Sequence, residues 1–286
     1  MKKPVSILLV STVTAFVLLS CQLITPTATS MPAATNEPVP SLAPTSEPIP
    51  TETAKAVTTP LPAVTPVVTA SAVNPVVEVR NSHQEGDNPK YTIDIAYPYL
   101  VSPEGPAFNH AVEDITKRVV TAFKDNASSY PTIDDPNLTS YNSVNIYTTL
   151  HQQDSHILSV YLEISEYYRG AAHPSPSSAV VNYSFDRGQV LSLADLFAPG
   201  ADYLKVISDY CIQDLQGKDF FNFPEGADPK AENYRVWNLT SDGLLITFDP
   251  YQVAPYAAGF VRVTIPYTVL QPYLDPSSPI AYLYKQ

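Results

Sequence analysis

Apolar and polar positions alternate in recognisable periods along the second part of the chain. In "KYTIDIAYPYL", Tyr91, Ile93, Ile95 and Tyr97 alternate with Thr92, Asp94 and Ala96. That two-residue period belongs to a half-buried strand. The next stretch changes period: Phe108, Val112, Ile115, Val119 and Phe123 recur every three or four residues, as on a helix. Pro106 suits its first turn, and Glu113–Lys117 and Asp114–Arg118 are i,i+4 pairs for its exposed side. Two further strands follow. Val144, Ile146, Thr148 and Leu150 share one face, and Leu158, Val160, Leu162 and Ile164 share another. The polar link "HQQDSH" predicts an antiparallel hairpin between them.

"AVVNYSF" alternates again, and "DRGQ" turns the chain through Gly188. "SLADLF" reads as a short helix with Ser192 and Asp195 at capping-box spacing. In "ADYLKVISDYCIQDLQGK", Leu204, Ile207, Cys211 and Leu215 form a helical stripe that Gly217 ends. "YRVWNLT" and "GLLITFD" flank "SDG", a hairpin signal; "FVRVTIPY" is a further strand and "TVLQPYL" one or two helical turns. The element order βαβββ, then αβββα, predicts an α+β protein. It implies two consecutive modules of mainly antiparallel sheet, each packed with helices.

The first 75 residues have another character. Lys2 and Lys3 precede an uncharged, mostly apolar run up to Cys21, the pattern of a signal peptide over residues 1–21. "LLSC" resembles a bacterial lipobox, which implies cleavage before Cys21 and a lipid anchor on its sulfur, outside the cytoplasmic membrane. Residues 22–75 hold 11 Pro and 11 Thr with no aromatic residue and no glycine. Such a segment buries too little apolar surface to offset its ordering entropy, so a disordered Pro/Thr-rich stalk is expected. No later segment approaches the ~20 apolar residues that cross a bilayer.

Charge narrows the partners. All 28 acidic residues and 14 of the 16 basic ones follow Cys21, so the net charge of −12 would become −14 after cleavage. That surface disfavours nucleic acid and favours basic partners. With Cys21 lipidated, Cys211 has no internal partner, and its place on a helical stripe between Asp209 and Asp214 predicts an inert buried thiol.

Catalytic patterns are missing. The five histidines form no His-Glu-x-x-His, there is no Gly-x-Ser-x-Gly, and the nine glycines make no phosphate-binding loop. His151 and His156 flank a hairpin turn, where a surface pair is the simpler reading. Asp134 and Asp135 sit beside Pro136 in a loop, an ordinary place for exposed acids. No enzyme activity and no cofactor or metal are expected.

Two loops draw attention. "EYYRGAAHPSPSS" places Tyr168, Arg169, Gly170 and His173 together. Its imidazole either faces a partner or glycan, or holds the bend that Gly170 and Pro174 impose; the local role is the simpler one. The segment lies where the chain would cross between modules 76–178 and 179–286. "DPYQVAPYAAG" offers Tyr251 and Tyr256, suited to an interface or to covering a sheet edge.

Four strings in register, "YYRGAAHP", "YSFDRGQVLSLADLF", "LTSDGLLITFDPYQVAPYAAG" and "VTIPYTVL", resemble the RsiV-like extracellular family. Residues 76–178 then resemble the N-terminal companion module found in PdaC-type proteins, and residues 179–286 the RsiV-like C-terminal module. The resemblance implies an extracytoplasmic sensor or accessory domain, with lysozyme-like muramidases as the sharpest partner and cell-wall glycan as the other. The chain shows neither a cytoplasmic sigma-binding segment nor a deacetylase domain, so the recognition half, tethered by lipid, is what the resemblance implies. Where family members often carry two glycines before Ala-His-Pro, this chain has Gly170 and Ala171.

Overall fold

The computed structural model describes residues 75–129 and 141–285. Cys21, the segment 22–74 and the Asp134–Asp135 pair lie outside the described residues. The fold is α+β, as the element order predicts.

A curled six-stranded sheet is built in chain order from β1 (Val77–Asp87), β2 (Lys90–Leu100), β3 (Asn142–Gln153), β4 (Ile157–Tyr167), β5 (Ser175–Ser184) and β6 (Gln189–Val190). Every neighbouring pair is antiparallel except β2 and β3, which run parallel from Tyr91↔Asn142 to Ile95↔Ile146. Parallel neighbours need a crossover, and α1 (Gly105–Ser129) supplies it. Phe108, Val112, Phe123 and Ala127 of α1 bury against Ile93, Ile95, Val144, Ile146, Leu158, Val160, Leu162 and Ile164. Of the helix positions that the spacing marks, Phe108, Val112 and Phe123 are buried, while Ile115 and Val119 pack against the core partly buried. On the outer side, Lys117 pairs with Glu113 at 2.7 Å, whereas Asp114 is found with His110 at 3.2 Å rather than with Arg118.

The β3 face holds through Thr148; a bulge between Leu150 and Gln152 then shifts the register. It leaves Leu150 exposed and the His151 ring half-buried edge-on against Tyr161, as bulges re-aim side chains.

The second face of the sheet meets a second core. Here α2 (Tyr203–Leu215) lays Ile207, Cys211 and Leu215 against a three-stranded sheet of β7 (Trp237–Leu239), β8 (Gly243–Phe248) and β9 (Val261–Pro266). Two short helices, α3 (Tyr267–Leu270) and α4 (Ala281–Tyr284), close the chain. Gly217 takes φ 87° after α2, and Gly188 takes φ 62° in the β5–β6 turn. The Asp195 carboxylate accepts the Ser192 N–H at 2.7 Å, the reciprocal half of the expected box.

Strand β7 lies against β3, β4 and β5. The junction is polar at its centre. Ser159 Oγ accepts from Asn238 Nδ2 (2.9 Å) and the Leu239 N–H (3.0 Å), and donates to Asn182 Oδ1 (2.5 Å). Asn182 Nδ2 donates to the Trp237 carbonyl at 2.8 Å. Ser159, Asn182 and Asn238 are all buried.

The expected division at 178/179 falls inside β5, which pairs with β4 along Ser175–Ser184 without a break. The first sheet runs on to Val190, and the second core is built from Leu191 onward together with Ile157 at the start of β4.

Candidate functional site

The loop around His173 joins two neighbours of one sheet. Strand β4 ends at Tyr167, the Ala171 N–H closes on the Tyr168 carbonyl at 2.9 Å, and β5 returns from Ser175. It is therefore a hairpin turn, not a crossing between modules. Gly170 sits at φ 89°, where a Cβ would be strained.

The second loop, 249–260, connects β8 to β9. Its backbone is pinned by Tyr251 N–H on the Ala254 carbonyl (3.0 Å) and by Gln252 Nε2, which reaches the carbonyls of Gly226 (3.0 Å) and Asn233 (2.8 Å). Val253 and Ala254 are buried as its plug. Tyr251 takes φ 69°, the left-handed region that a bulky side chain avoids, and the residue is 59% exposed.

These two loops meet. The rings of His173 and Tyr256 stack with centroids 3.9 Å apart and 26° between planes. Tyr256 Oη donates to the Pro174 carbonyl at 3.0 Å, and His173 Nδ1 stands 2.8 Å from the same carbonyl. A carbonyl only accepts, so Nδ1 carries the proton. The Tyr251 ring lies 5.7 Å from that of Tyr256. Three aromatic rings from two loops thus share one outward surface.

Tyr168 does not join it. Tyr168 is buried against Phe123 (5.6 Å) and accepts from Asn126 Nδ2 at 3.3 Å, under α1. The Arg169 N–H donates to Asn142 Oδ1 at 2.8 Å. Gly170 contributes backbone geometry alone.

At the roots of these loops is a lock with little trace in the sequence. The Ser178 hydroxyl donates to the Asp249 carboxylate, and the Arg235 guanidinium donates both to Asp249 and to the Ser178 carbonyl, the latter at 3.0 Å. The Asp249 side chain is 11% exposed. Ser178 is buried and donates to a carboxylate already engaged by arginine, so its hydroxyl is not set up as a nucleophile. On the adjoining strand, Tyr161 is buried with Phe260 edge-on and the Arg262 guanidinium 5.3 Å from its ring centre. Burial pushes the Tyr161 hydroxyl up to about 12, against the opposing charge of Arg262, so it stays protonated near neutrality. Burial, then the charge of Arg262, lowers His151 below the usual histidine value.

The other expectations resolve individually. His151 and His156 take different partners: His151 faces Tyr161, and His156 Nδ1 stands 2.9 Å from Asp186 with its ring 4.6 Å from that of Tyr282. Cys211 is buried and free, and burial pushes its thiol far up, as a helix-stripe cysteine flanked by acids should be. Among the described residues no cluster of three His, Cys, Asp or Glu is placed to hold a metal, and no helix is long and apolar enough to cross a membrane. The seam at Ser178, Asp249 and Arg235 left one sequence signal, an acid directly after the buried run "GLLITF". Its partners are 71 and 14 residues away, which no local pattern encodes.

Known proteins resemble this chain in sequence and fold. The chain is 26% identical over 201 residues to peptidoglycan-N-acetylmuramic acid deacetylase PdaC of Bacillus subtilis (strain 168). The match takes in 68% of this chain and 41% of that enzyme, so the chain spans about two-fifths of the relative's length. Two crystal structures share the fold. One, a member of the DUF3298 family from Bacteroides fragilis, gives a TM-score of 0.54 at 16% identity, over 74% of this chain and 98% of that one. The other, a DUF3298 family protein from Pseudomonas aeruginosa, gives 0.51 at 18% identity, over 71% and 95%. Residues 194–268, from the turn before α2 into α3, match the family described as a protein of unknown function (DUF3298), a stretch that takes in much of the second core and the Tyr251–Tyr256 loop.

Proposed function

We propose that this chain is a non-catalytic binding module of the cell envelope, an RsiV-like sensing domain held outside the cytoplasmic membrane by lipid on Cys21. The observation that carries the reading is the convergence of His173, Tyr251 and Tyr256 from two loops onto one surface, backed by the Ser178–Asp249–Arg235 lock. Such a surface is built for contact: tyrosine offers rigid area at low entropic cost. Ser178, Asp249 and Arg235 are engaged with one another. The net charge of −12 favours a basic protein, a lysozyme-like muramidase in the sharpest form. The test is titration of the purified chain with lysozyme at low and moderate salt. Binding that weakens with salt, and about tenfold with Tyr251→Ala, supports the reading; a truncated interface anchor costs on this order. No binding at either salt overturns it.

A second reading is recognition of peptidoglycan glycan, favoured by the 26% match to PdaC, whose name specifies peptidoglycan N-acetylmuramic acid as its substrate. Co-sedimentation with insoluble cell wall separates the two. Retention in the supernatant counts against the glycan reading and leaves the lysozyme titration as the deciding test.

A further inference from the structure

The opposite end of β4 and β5 carries a second constellation. Strand β4 has 11 residues, so its two ends lie roughly 30 Å apart at ~3.3 Å per residue. At its start, Asp154 Oδ1 caps the turn by accepting the N–H groups of His156 (2.7 Å) and Ile157 (2.8 Å). Asp154 Oδ2 accepts Tyr282 Oη at 2.6 Å and Gln152 Nε2 at 2.7 Å. Burial would raise the Asp154 carboxyl, but these four bonds outweigh it and hold it below the usual range. The Tyr282 ring in turn backs His156, which stands 2.9 Å from Asp186.

Asp186 lines two cavities. One, of about 480 Å³, is lined by Val76, Val101, Ser102, Glu104 and Phe185 together with Asp186. The other, of about 380 Å³, runs from His156 and Asp186 to Arg187, Ser277 and Tyr282. Each falls in the range of small-molecule sites. The Ser102 hydroxyl is buried and has no hydrogen-bond partner among the described residues. A desolvated hydroxyl of this kind costs free energy until something pairs with it.

We propose that this trough binds a neutral, hydroxyl-rich ligand, a short run of sugar rings, between Glu104 and Tyr282 with Asp186 at its centre. The lining chemistry selects that class. Asp186 and Glu104 are strong acceptors for ligand hydroxyls. Phe185, Val76 and Val101 offer an apolar wall for the flat face of a ring. His156 stands 2.9 Å from Asp186, and Arg187 already holds the Ser277 carbonyl at 3.1 Å, so neither is free to hold an anionic ligand. The position also differs from the His173–Tyr251–Tyr256 face, so this site does not depend on that reading.

The experiment is an NMR titration of the isotope-labelled full chain with a tetramer of β-1,4-linked N-acetylglucosamine. The expected result is saturable shift changes at Ser102, Glu104, Phe185, Asp186 and Tyr282. Asp186→Asn and the exposed Glu104→Gln should each weaken binding about tenfold, the scale of one charged hydrogen bond. Lys205→Ala, on the exposed side of α2, should leave it unchanged. Melting temperature separates binding loss from unfolding, and Glu104→Gln, outside any core contact, keeps the test open if Asp186→Asn destabilises. Absence of shifts at millimolar sugar, or shifts confined to the His173–Tyr256 face, overturns the proposal.

Discussion

Replacing Ser159 by alanine removes a single oxygen from the junction between the two sheets, and the structure fixes what that costs. Ser159 Oγ serves three partners at once: the Asn182 carbonyl oxygen, the Asn238 amide and the Leu239 N–H. All lie where water does not reach; Ser159 and Asn238 are fully buried. A buried polar group deprived of its partner costs about 1–3 kcal/mol, while the removed hydroxyl leaves almost no void. Three such groups, partly relaxed, give a loss of about 3–5 kcal/mol. For a folded region near 200 residues, each kcal/mol moves Tm by about 2–4 °C, so a drop of about 6–20 °C is expected. Thermal and urea unfolding followed by circular dichroism measure it, with an unchanged urea slope if the native fold is kept. Thr247→Val is the contrast. Thr247 is equally buried, but its hydroxyl has no partner among the described residues. An isosteric apolar replacement there should stabilise by about 1 kcal/mol. If Ser159→Ala costs less than about 1 kcal/mol, or Thr247→Val costs as much as Ser159→Ala, then the hydrogen-bonded seam is not what joins the sheets.

Three more outcomes follow from local geometry. Tyr251→Gly should raise stability by about 1 kcal/mol, because a left-handed backbone is strained for tyrosine, while binding at the loop face falls; calorimetry and the lysozyme titration read the two effects separately. In a two-dimensional NMR pH titration, His83 should titrate above the ordinary value of about 6.5, raised by Asp94 at 2.6 Å and by Glu85, and His151 below it, lowered by burial. The linked stability terms have opposite signs. That of His83 is present below about pH 6.5 and fades as pH rises through its folded value; that of His151 is present above about 6.5 and is lost as pH falls through its folded value. Cys211 should resist a thiol reagent in the native chain and react only on unfolding, since burial keeps the thiolate from forming; fast native labelling would contradict its place in the core.

The sequence disclosed each element that presents one face to a core. Helix α1, strands β3 to β5, helix α2 and the β7–β9 group each carry a run of buried residues at the period of their backbone. Strand β1 did not show itself, for a physical reason: it is the outer edge of the sheet, nearly every residue from Val77 to Asp87 is exposed, and "VEVRNSHQEGD" has no apolar face to alternate. The parallel pairing of β2 with β3 left no local trace either, since it is decided by where α1 lays the chain down. The same limit governs the site. Tyrosines and a histidine in Pro/Gly-rich loops stood out, but their meeting joins residues 82 apart in sequence. The side on which Tyr168 falls was decided by its packing on Phe123.

What the lock at Ser178, Asp249 and Arg235 does for a ligand follows from the same geometry. Each loop alone would be a solvent-exposed turn with its rings free to rotate, and ordering such side chains on binding costs about 0.5–1.5 kcal/mol each. Here Asp249, at the root of one loop, takes hydrogen bonds from Ser178 on β5 and from Arg235, so the base of the second loop is tied to the strand that leaves the first. The His173–Tyr256 stack and the Tyr256–Pro174 hydrogen bond then fix the tips. Much of the ordering cost is met in folding, which leaves the rings preorganised. Arg235→Ala, which touches none of the three rings, should therefore weaken binding at the loop face through disorder and slow association little. A variant that kept full affinity would mean that the loops hold their shape without the lock.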